Sequence, residues 1–407
     1  MSEERNHALL SASSAKKWIH CPPSARLEET FPDESSEAAE EGTLAHSFCE
    51  LKLRKLFIEP GMPDKTYKAE LNKLKKDTRY NPEMDRFTDD YVAFVQKIAY
   101  GYPSTPYISV EKKIDYSHVA PEGFGTADCI ILCGSDLHVV DFKYGKGVVV
   151  SAEENPQMEL YAIGALAAYS LIYPIDQIMF HIVQPRVHNF SSWKTTVKDL
   201  LAWADVVVKP NALLAFKGEG EFCQGTWCDE GFCKAAGQCR HRMNENMEVI
   251  QKELNPVTGK LVSENLISNE EIGNILPLLQ LVAPWIKKVE KAALNKLLSD
   301  EAVPGWKLVE GRSNRELTDA TKAFKDLITA GYKKAMLYEQ KPLALTEVEK
   351  LITKEDYTTI LTPYIVKPKG KPTLAPENDK RSVYQKDSTP EEDFGGENHY
   401  KEEQIPC

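Results

Sequence analysis

Residues 125–147 read GTADCIILCGSDLHVVDFKYGKG, and residues 154–162 read ENPQMELYA. Two runs of β-forming residues, Asp128–Cys133 and Leu137–Phe142, flank Gly134-Ser135-Asp136. This pattern predicts a hairpin. Asp128 stands near the start of the first run and Asp141 at the end of the second, so antiparallel pairing brings their carboxylates together at one end. Lys143 follows Asp141 by two residues, and the period-two alternation of a strand sets both side chains on one face.

Two acids and a lysine on a sheet edge suit phosphodiester hydrolysis. Carboxylates hold a hard divalent cation, Mg2+ or Mn2+, through oxygen. The cation acidifies a bound water and offsets the charge of the scissile phosphate. The lysine is a compact point charge that orients the water or stabilises the transition state. An Asp-x-Lys triplet alone also describes a solvated strand edge, so the surroundings decide its meaning.

Upstream, Ser11–Ile19 reads as a short helix stopped by His20-Cys21-Pro22-Pro23. Pro32–Glu41 is acidic, a loop or helix start. Leu44, Phe48, Leu51 and Phe57 carry a helical stripe that places His46 one turn from Gly42 and Glu50. Lys65–Arg79 is an exposed helix and loop, and Glu83–Tyr100 an amphipathic helix. Tyr107–Ile114 reads as a strand with Glu111 inside it. Downstream, Asn155-Pro156 opens a helix through Tyr169, with Gln157 and Tyr161 on one face. Ile175–Val183 is a further strand, and Thr195–Leu214 is read as helical. Arg186, Ser191 and Ser192 are candidates for phosphate contact, and Lys146 lies in a basic turn beside Lys143. Strands with flanking helices and crossovers imply an α/β layer fold.

Six of these pieces stand in the order of a known family. They are Ser11-Ala12-Ser13 with Cys21-Pro22, Gly42-Thr43-Leu44-Ala45-His46, Gly125-Thr126-Ala127-Asp128, Asp141-Phe142-Lys143, Gln157 with Tyr161, and a late cysteine group. In this order the chain resembles the RecB-like nucleases of the PD-(D/E)xK superfamily, in their iron–sulfur-bearing branch, and more narrowly the phage and prophage proteins of that superfamily. The resemblance implies a restriction-endonuclease-like core, a central mixed sheet flanked by helices. It implies a metal-dependent deoxyribonuclease, an exonuclease in phage DNA replication or recombination, with DNA ends or single strands and other replication or recombination proteins as partners. Asp128, Asp141 and His46 would hold the metal, Lys143 would serve the attacking water, and Gln157 and Tyr161 would support them. A nuclease fold kept as a catalytically silent DNA-binding scaffold is the alternative.

FCQGTWCDEGFCKAAGQC places Cys223, Cys228, Cys233 and Cys239 within seventeen residues, separated by four, four and five others. Such crowding argues for metal over disulfides in a reducing compartment. The gaps are wider than the two-residue pairs of most zinc knuckles, and iron–sulfur clusters accept looser spacing. The resemblance implies a [4Fe–4S] cluster on Cys21, Cys228, Cys233 and Cys239, tying the two ends of the domain together. The family's usual first gap is two residues where this chain has four, which leaves Cys223 as an alternative to Cys228. Zinc on the four local thiols is the rival cofactor.

The 407 residues carry 42% apolar and 27% charged side chains, with a net charge of −11. That excludes a broad basic coat for nucleic acid but not a local groove. No apolar run reaches membrane length, and the acidic N-terminus is not a signal peptide, so a cytoplasmic protein is expected, in host cytoplasm if phage-encoded. The expected organisation is a nuclease domain over 1–245, a mainly helical domain over 246–366 and a disordered tail over 367–407. In the second, Ser268 and Glu271 form a capping box before an apolar-periodic run to Leu298 kinked near Pro277 and Pro284. Pro304–Arg312 reads as a hairpin or strand, where Trp306, Lys307, Arg312 and Arg315 are candidates for nucleic-acid contact. Ala320–Tyr332 and Thr346–Leu361 read as helices.

Overall fold

The structure, a computed structural model, describes residues 8–32, 36–252 and 269–309, with scattered positions from 322 to 365. The chain forms two compact units, Met1–Glu310 and Gly311–Cys407. The first begins with short helices α1 (Ala15–His20) and α2 (Ser24–Glu28), then α3 (Glu37–Leu53), α4 (Asp64–Leu74) and α5 (Glu83–Ala99). Three strands follow, β1 (Tyr107–Asp115), β2 (Phe124–Cys133) and β3 (Asp136–Phe142), then helix α6 (Pro156–Tyr169) and strands β4 (Gln177–Gln184) and β5 (Asn189–Thr196). Helices α7 (Val197–Trp203), α8 (Lys209–Lys217), α9 (Trp227–Glu230), α10 (Arg240–Lys252) and α11 (Asn269–Leu298) complete the unit.

The sheet runs β1-β2-β3-β4-β5. Neighbours are antiparallel except β3 and β4, which are parallel and joined by a crossover through α6. The α/β expectation of a mixed sheet flanked by helices, followed by helical chain, is met. Asn155 makes the crossover helix start where it does. Its side chain accepts the Gln157 and Met158 N–H groups, and Pro156 occupies the first turn, where no donor is needed.

Each face of the sheet carries its own core. Ile130, Leu132, Leu137 and Val139 pack with Met158, Ile163 and Trp18 on the α6 side. Cys129, Ile131, Val140 and Phe142 pack with Leu44, Phe48, Phe87 and Tyr91 on the side of α3 and α5. Strand alternation thus divides one sequence run between two layers. Close approach on the α6 side depends on Gly164, where a Cβ would lie 2.1 Å from Ile114 Cγ2 and 2.8 Å from the Asp115 carbonyl oxygen.

A ladder of polar side chains crosses the α3–α5 face. Tyr102 donates to Asp136 at 2.8 Å and lies 2.6 Å from His138 Nε2. His138 Nδ1 is 3.0 Å from His181 Nε2, and His181 Nδ1 is 2.8 Å from Ser192 Oγ. Because Tyr102 gives its proton to Asp136, one direction satisfies the rest with neutral rings. Ser192 donates to His181, His181 to His138, and His138 to Tyr102. Burial lowers both histidines to about 4.

Two expectations are corrected. The helix read over Thr195–Leu214 starts at Val197, because Asn189–Thr196 forms β5. Among the described residues that strand pairs only with β4, and it alternates half-buried with exposed positions, so its polar residues hide it from a search for apolar runs. The helix start read within Pro32–Glu41 is met, since α3 begins at Glu37, capped by the Ser36 hydroxyl, with Gly42 inside it. The described part of Pro304–Arg312 is a turn and irregular chain, without a strand through Val309, and Trp306 is exposed there. Ser268, Arg312 and Arg315, and nearly all of the expected helices over Ala320–Tyr332 and Thr346–Leu361, lie outside the described residues, as does the tail over 367–407. Helix α11 contains Pro277 and Pro284.

Candidate active site and cysteine centre

The register sets three carboxylates in a row. Val110 pairs with Cys129, and Cys129 with Val140. One step further along each strand places Glu111, Asp128 and Asp141 side by side on β1, β2 and β3. Glu111 itself makes no pair. It adopts φ 46, between the paired residues Val110 and Lys112. A non-glycine residue in this left-handed region inside a strand is uncommon, and such strain clusters at functional sites.

Helix α3 delivers His46 to this row. Its Nδ1 lies 3.4 Å from Asp128 Oδ1 and 3.7 Å from Glu111 Oε1. One donor atom from each of the three lies within 4.8 Å of the others. The imidazole rests edge-on against Phe142. Asp128 Oδ2 accepts the Phe142 N–H at 2.7 Å, which fixes that carboxylate beside β3.

Asp141 is 2% exposed. Lys143 Nζ lies 3.0 Å from its Oδ2 and 3.4 Å from its Oδ1, and hydrogen-bond geometry is met only at Oδ1. Oδ2 is left without a hydrogen-bond partner. Gln157 closes the arrangement. Its Oε1 accepts from Lys143 Nζ at 3.1 Å, and its Nε2 donates to Asp141 Oδ1 at 3.4 Å and to Tyr161 Oη at 3.2 Å. The Tyr161 ring reaches this position because Gly125 has no Cβ, which would stand 2.9 Å from Cε1.

The charges polarise one another. Burial works against protonation of His46, but Asp128 and Glu111 overcome it and push its pKa up to about 10. Burial raises Asp128, yet His46 and Lys143 bring it below its ordinary value. Burial dominates at Asp141, which rises to about 6 although Lys143 pulls the other way. Burial lowers Lys143, but Asp141 and Asp128 carry it net upward, so it keeps its proton. The oxygen-rich set with one imidazole, and the open lone pairs of Asp141 Oδ2, fit a divalent cation, manganese at least as well as magnesium.

All of the expected site residues on β2, β3, α3 and α6 therefore meet. Glu111, read from the sequence only as a residue inside a strand, stands in the tight group with His46 and Asp128, while Asp141 adjoins it through Lys143. The candidate phosphate contacts are engaged within the fold. Arg186 pairs with Glu41 at 3.1 Å and lies over the Tyr144 ring, and Ser191 Oγ accepts the Ala152 N–H at 2.9 Å. Ser192 belongs to the histidine ladder. Lys146 is exposed.

The cysteines gather at a second place. Cys21, Cys223, Cys228, Cys233 and Cys239 line one cavity of about 20 Å3, together with Gln224, His241 and Arg242. The N-terminal helices hold this segment through ions and rings. Lys17 pairs with Glu28 at 2.6 Å and donates to the Gly231 carbonyl, Lys16 pairs with Glu230, and His20 stacks on Trp227 at 4.4 Å. Cys223 differs from the others. It is exposed, its thiol faces the Gln224 carbonyl, and only its backbone N–H reaches Cys21, at 3.5 Å from the sulfur. Burial raises Cys21 and Cys228, and lifts Cys233 to about 12. These three sulfurs thus keep their protons until a cation displaces them.

Among solved structures, the chain is similar to one titled "Crystal structure of SSO0001". The identity is 11% over 59% of this chain and 89% of that one, with a TM-score of 0.26. No helix among the described residues is long and apolar enough to cross a membrane. A family model described as "Protein of unknown function (DUF2800)" matches residues 7–382, and the chain therefore belongs to the DUF2800 family.

Proposed function

We propose that this protein is a metal-dependent deoxyribonuclease of RecB type, hydrolysing phosphodiester bonds with the row of acids on β1–β3. One arrangement carries the reading: Lys143 Nζ is held between Asp141 and Gln157, beside the group of His46, Asp128 and Glu111. A divalent cation held by Asp128 and Asp141, with His46 and Glu111 at its side, would acidify a water and neutralise phosphate charge. Lys143 supplies a fixed positive charge to the attacking water and the transition state, since it remains protonated beside two carboxylates. Gln157 holds Lys143 in place and passes a hydrogen bond to Tyr161.

Cys21, Cys228, Cys233 and Cys239 are the proposed ligands of a [4Fe–4S] cluster, with zinc as the rival. The exposed Cys223, turned to Gln224, supports the choice of Cys228 over it. Exonuclease action and a setting in phage DNA replication or recombination rest on the family resemblance.

The test is cleavage of labelled linear and circular, single- and double-stranded DNA by anaerobically purified protein with Mg2+ or Mn2+, beside Lys143→Ala. Cleavage of linear substrates, lost in the variant, is expected. Metal-independent binding without cleavage, equal in both proteins, would overturn the reading and leave a DNA-binding scaffold.

A further inference from the structure

We propose that Arg242 is the positioning residue of the cysteine centre, its Nε–H directed to the ligand sulfurs and its charge balancing theirs. The inference rests on the iron–sulfur reading of that centre. Arg242 is 1% exposed and lines the same cavity as the four thiols. Its two terminal nitrogens are taken. Nη1 and Nη2 donate to Asp229 at 3.3 and 2.7 Å, and Nη2 also reaches the Leu281 carbonyl of α11 at 3.4 Å. Among the described residues its Nε–H has no partner.

A buried N–H without an acceptor is costly to a fold and calls for an explanation. Here an explanation lies across the cavity. Asp229 adjoins Cys228 in the chain, and Arg242 and Cys228 line the one cavity. A second unpartnered donor, Nδ2 of the fully buried Asn246, lies one helical turn on along α10. Two spare donors on one face of a helix that starts one residue after Cys239 suit an acceptor-rich, negatively charged occupant. Thiolate sulfurs around a metal cluster are that kind of acceptor. Hydrogen bonds to cluster sulfurs, and nearby charge, set the reduction potential.

Asp229 makes the inference testable from both sides. Removing the cation should favour the oxidised centre, and removing its carboxylate partner should favour the reduced one. The experiment is a reductive titration of anaerobically purified full-length protein, followed by the visible absorption of the cluster, with iron and sulfide measured in each sample. Arg242→Gln should lower the reduced-to-oxidised ratio at fixed potential about tenfold, and Asp229→Asn should raise it by a similar factor, each about 59 mV for a one-electron couple. Arg242→Lys, which keeps charge but not the Nε–H, should fall between Arg242→Gln and the wild type. If Arg242→Gln fails to hold iron, Asp229→Asn and Arg242→Lys decide the matter. Iron-loaded variants with unchanged potentials, or with shifts of one sign, would overturn the role of Arg242 and leave the cluster reading standing. Iron-free wild-type protein would overturn the cluster reading and this inference with it.

Discussion

The two sites of the first unit are built in opposite ways. The acidic site draws its central residues from a hairpin, where Asp128, Asp141 and Lys143 are positioned by strand hydrogen bonds that exist with or without a metal. The cysteine centre joins Cys21 to residues some 200 positions later, through short helices, loops and side-chain ion pairs. A site on a ladder is preformed, and its loss should spare the fold. A site that closes a long loop takes part of its stability from its occupant, and its loss should loosen the fold.

The largest effect that tests this contrast is on activity. Lys143→Ala should slow DNA cleavage by about 10^2–10^3-fold, with at most a small fall in melting temperature. A variant that melted early would make the acidic site structural and erase the distinction. Next comes Cys21→Ser, expected to lose iron and to melt with chelator-treated wild-type protein, well below the untreated protein. Identical melting of all three samples would show that the centre contributes nothing to stability.

A packing change calibrates both. Gly164→Ala forces a methyl against Ile114 and the Asp115 carbonyl between α6 and β1. Such overpacking costs about 1–3 kcal/mol, read by denaturant unfolding. Because α6 carries Gln157 and Tyr161, cleavage should fall with it, while iron content stays whole.

The smallest effect is a pH slope. The folded pKa of His181 is about 4, below the ordinary 6.5, so the unfolded chain takes up the proton first as pH falls. Its contribution is fully present above pH 6.5 and is lost between 6.5 and 4. Asp141 and Glu159, raised by burial to about 6 and about 7, act in the opposite direction, so the quantity to measure is a difference. Wild type should lose about 0.7 kcal/mol more than His181→Gln between pH 7 and 6. Parallel stability curves would show that His181 takes up its proton as readily in the folded protein as in the unfolded chain.

How much of this was legible in the sequence depends on the kind of signal. The hairpin was readable because Val, Ile and Leu runs met at Gly134-Ser135, and Asp141 with Lys143 because strand period is strict. The meeting of Cys21 with the late cysteines came from family resemblance, since no local rule links positions so far apart. Strand β5 escaped because one of its faces is polar and solvated. Glu111 was only half seen. Its place beside Asp128 follows from the β1–β2 register, and its left-handed backbone has no sequence mark, since glutamate is not a residue that usually adopts it.

That backbone has a consequence for solubility. Strand β1 is nine residues long and lies at an edge of the sheet. An unbroken edge of that length offers a template on which another chain can add a strand. The turn of the main chain at Glu111 divides it into two shorter runs, Tyr107–Val110 and Lys112–Asp115, on either side of a charged side chain. The residue that brings a carboxylate to the site thereby also guards the sheet against edge-to-edge aggregation.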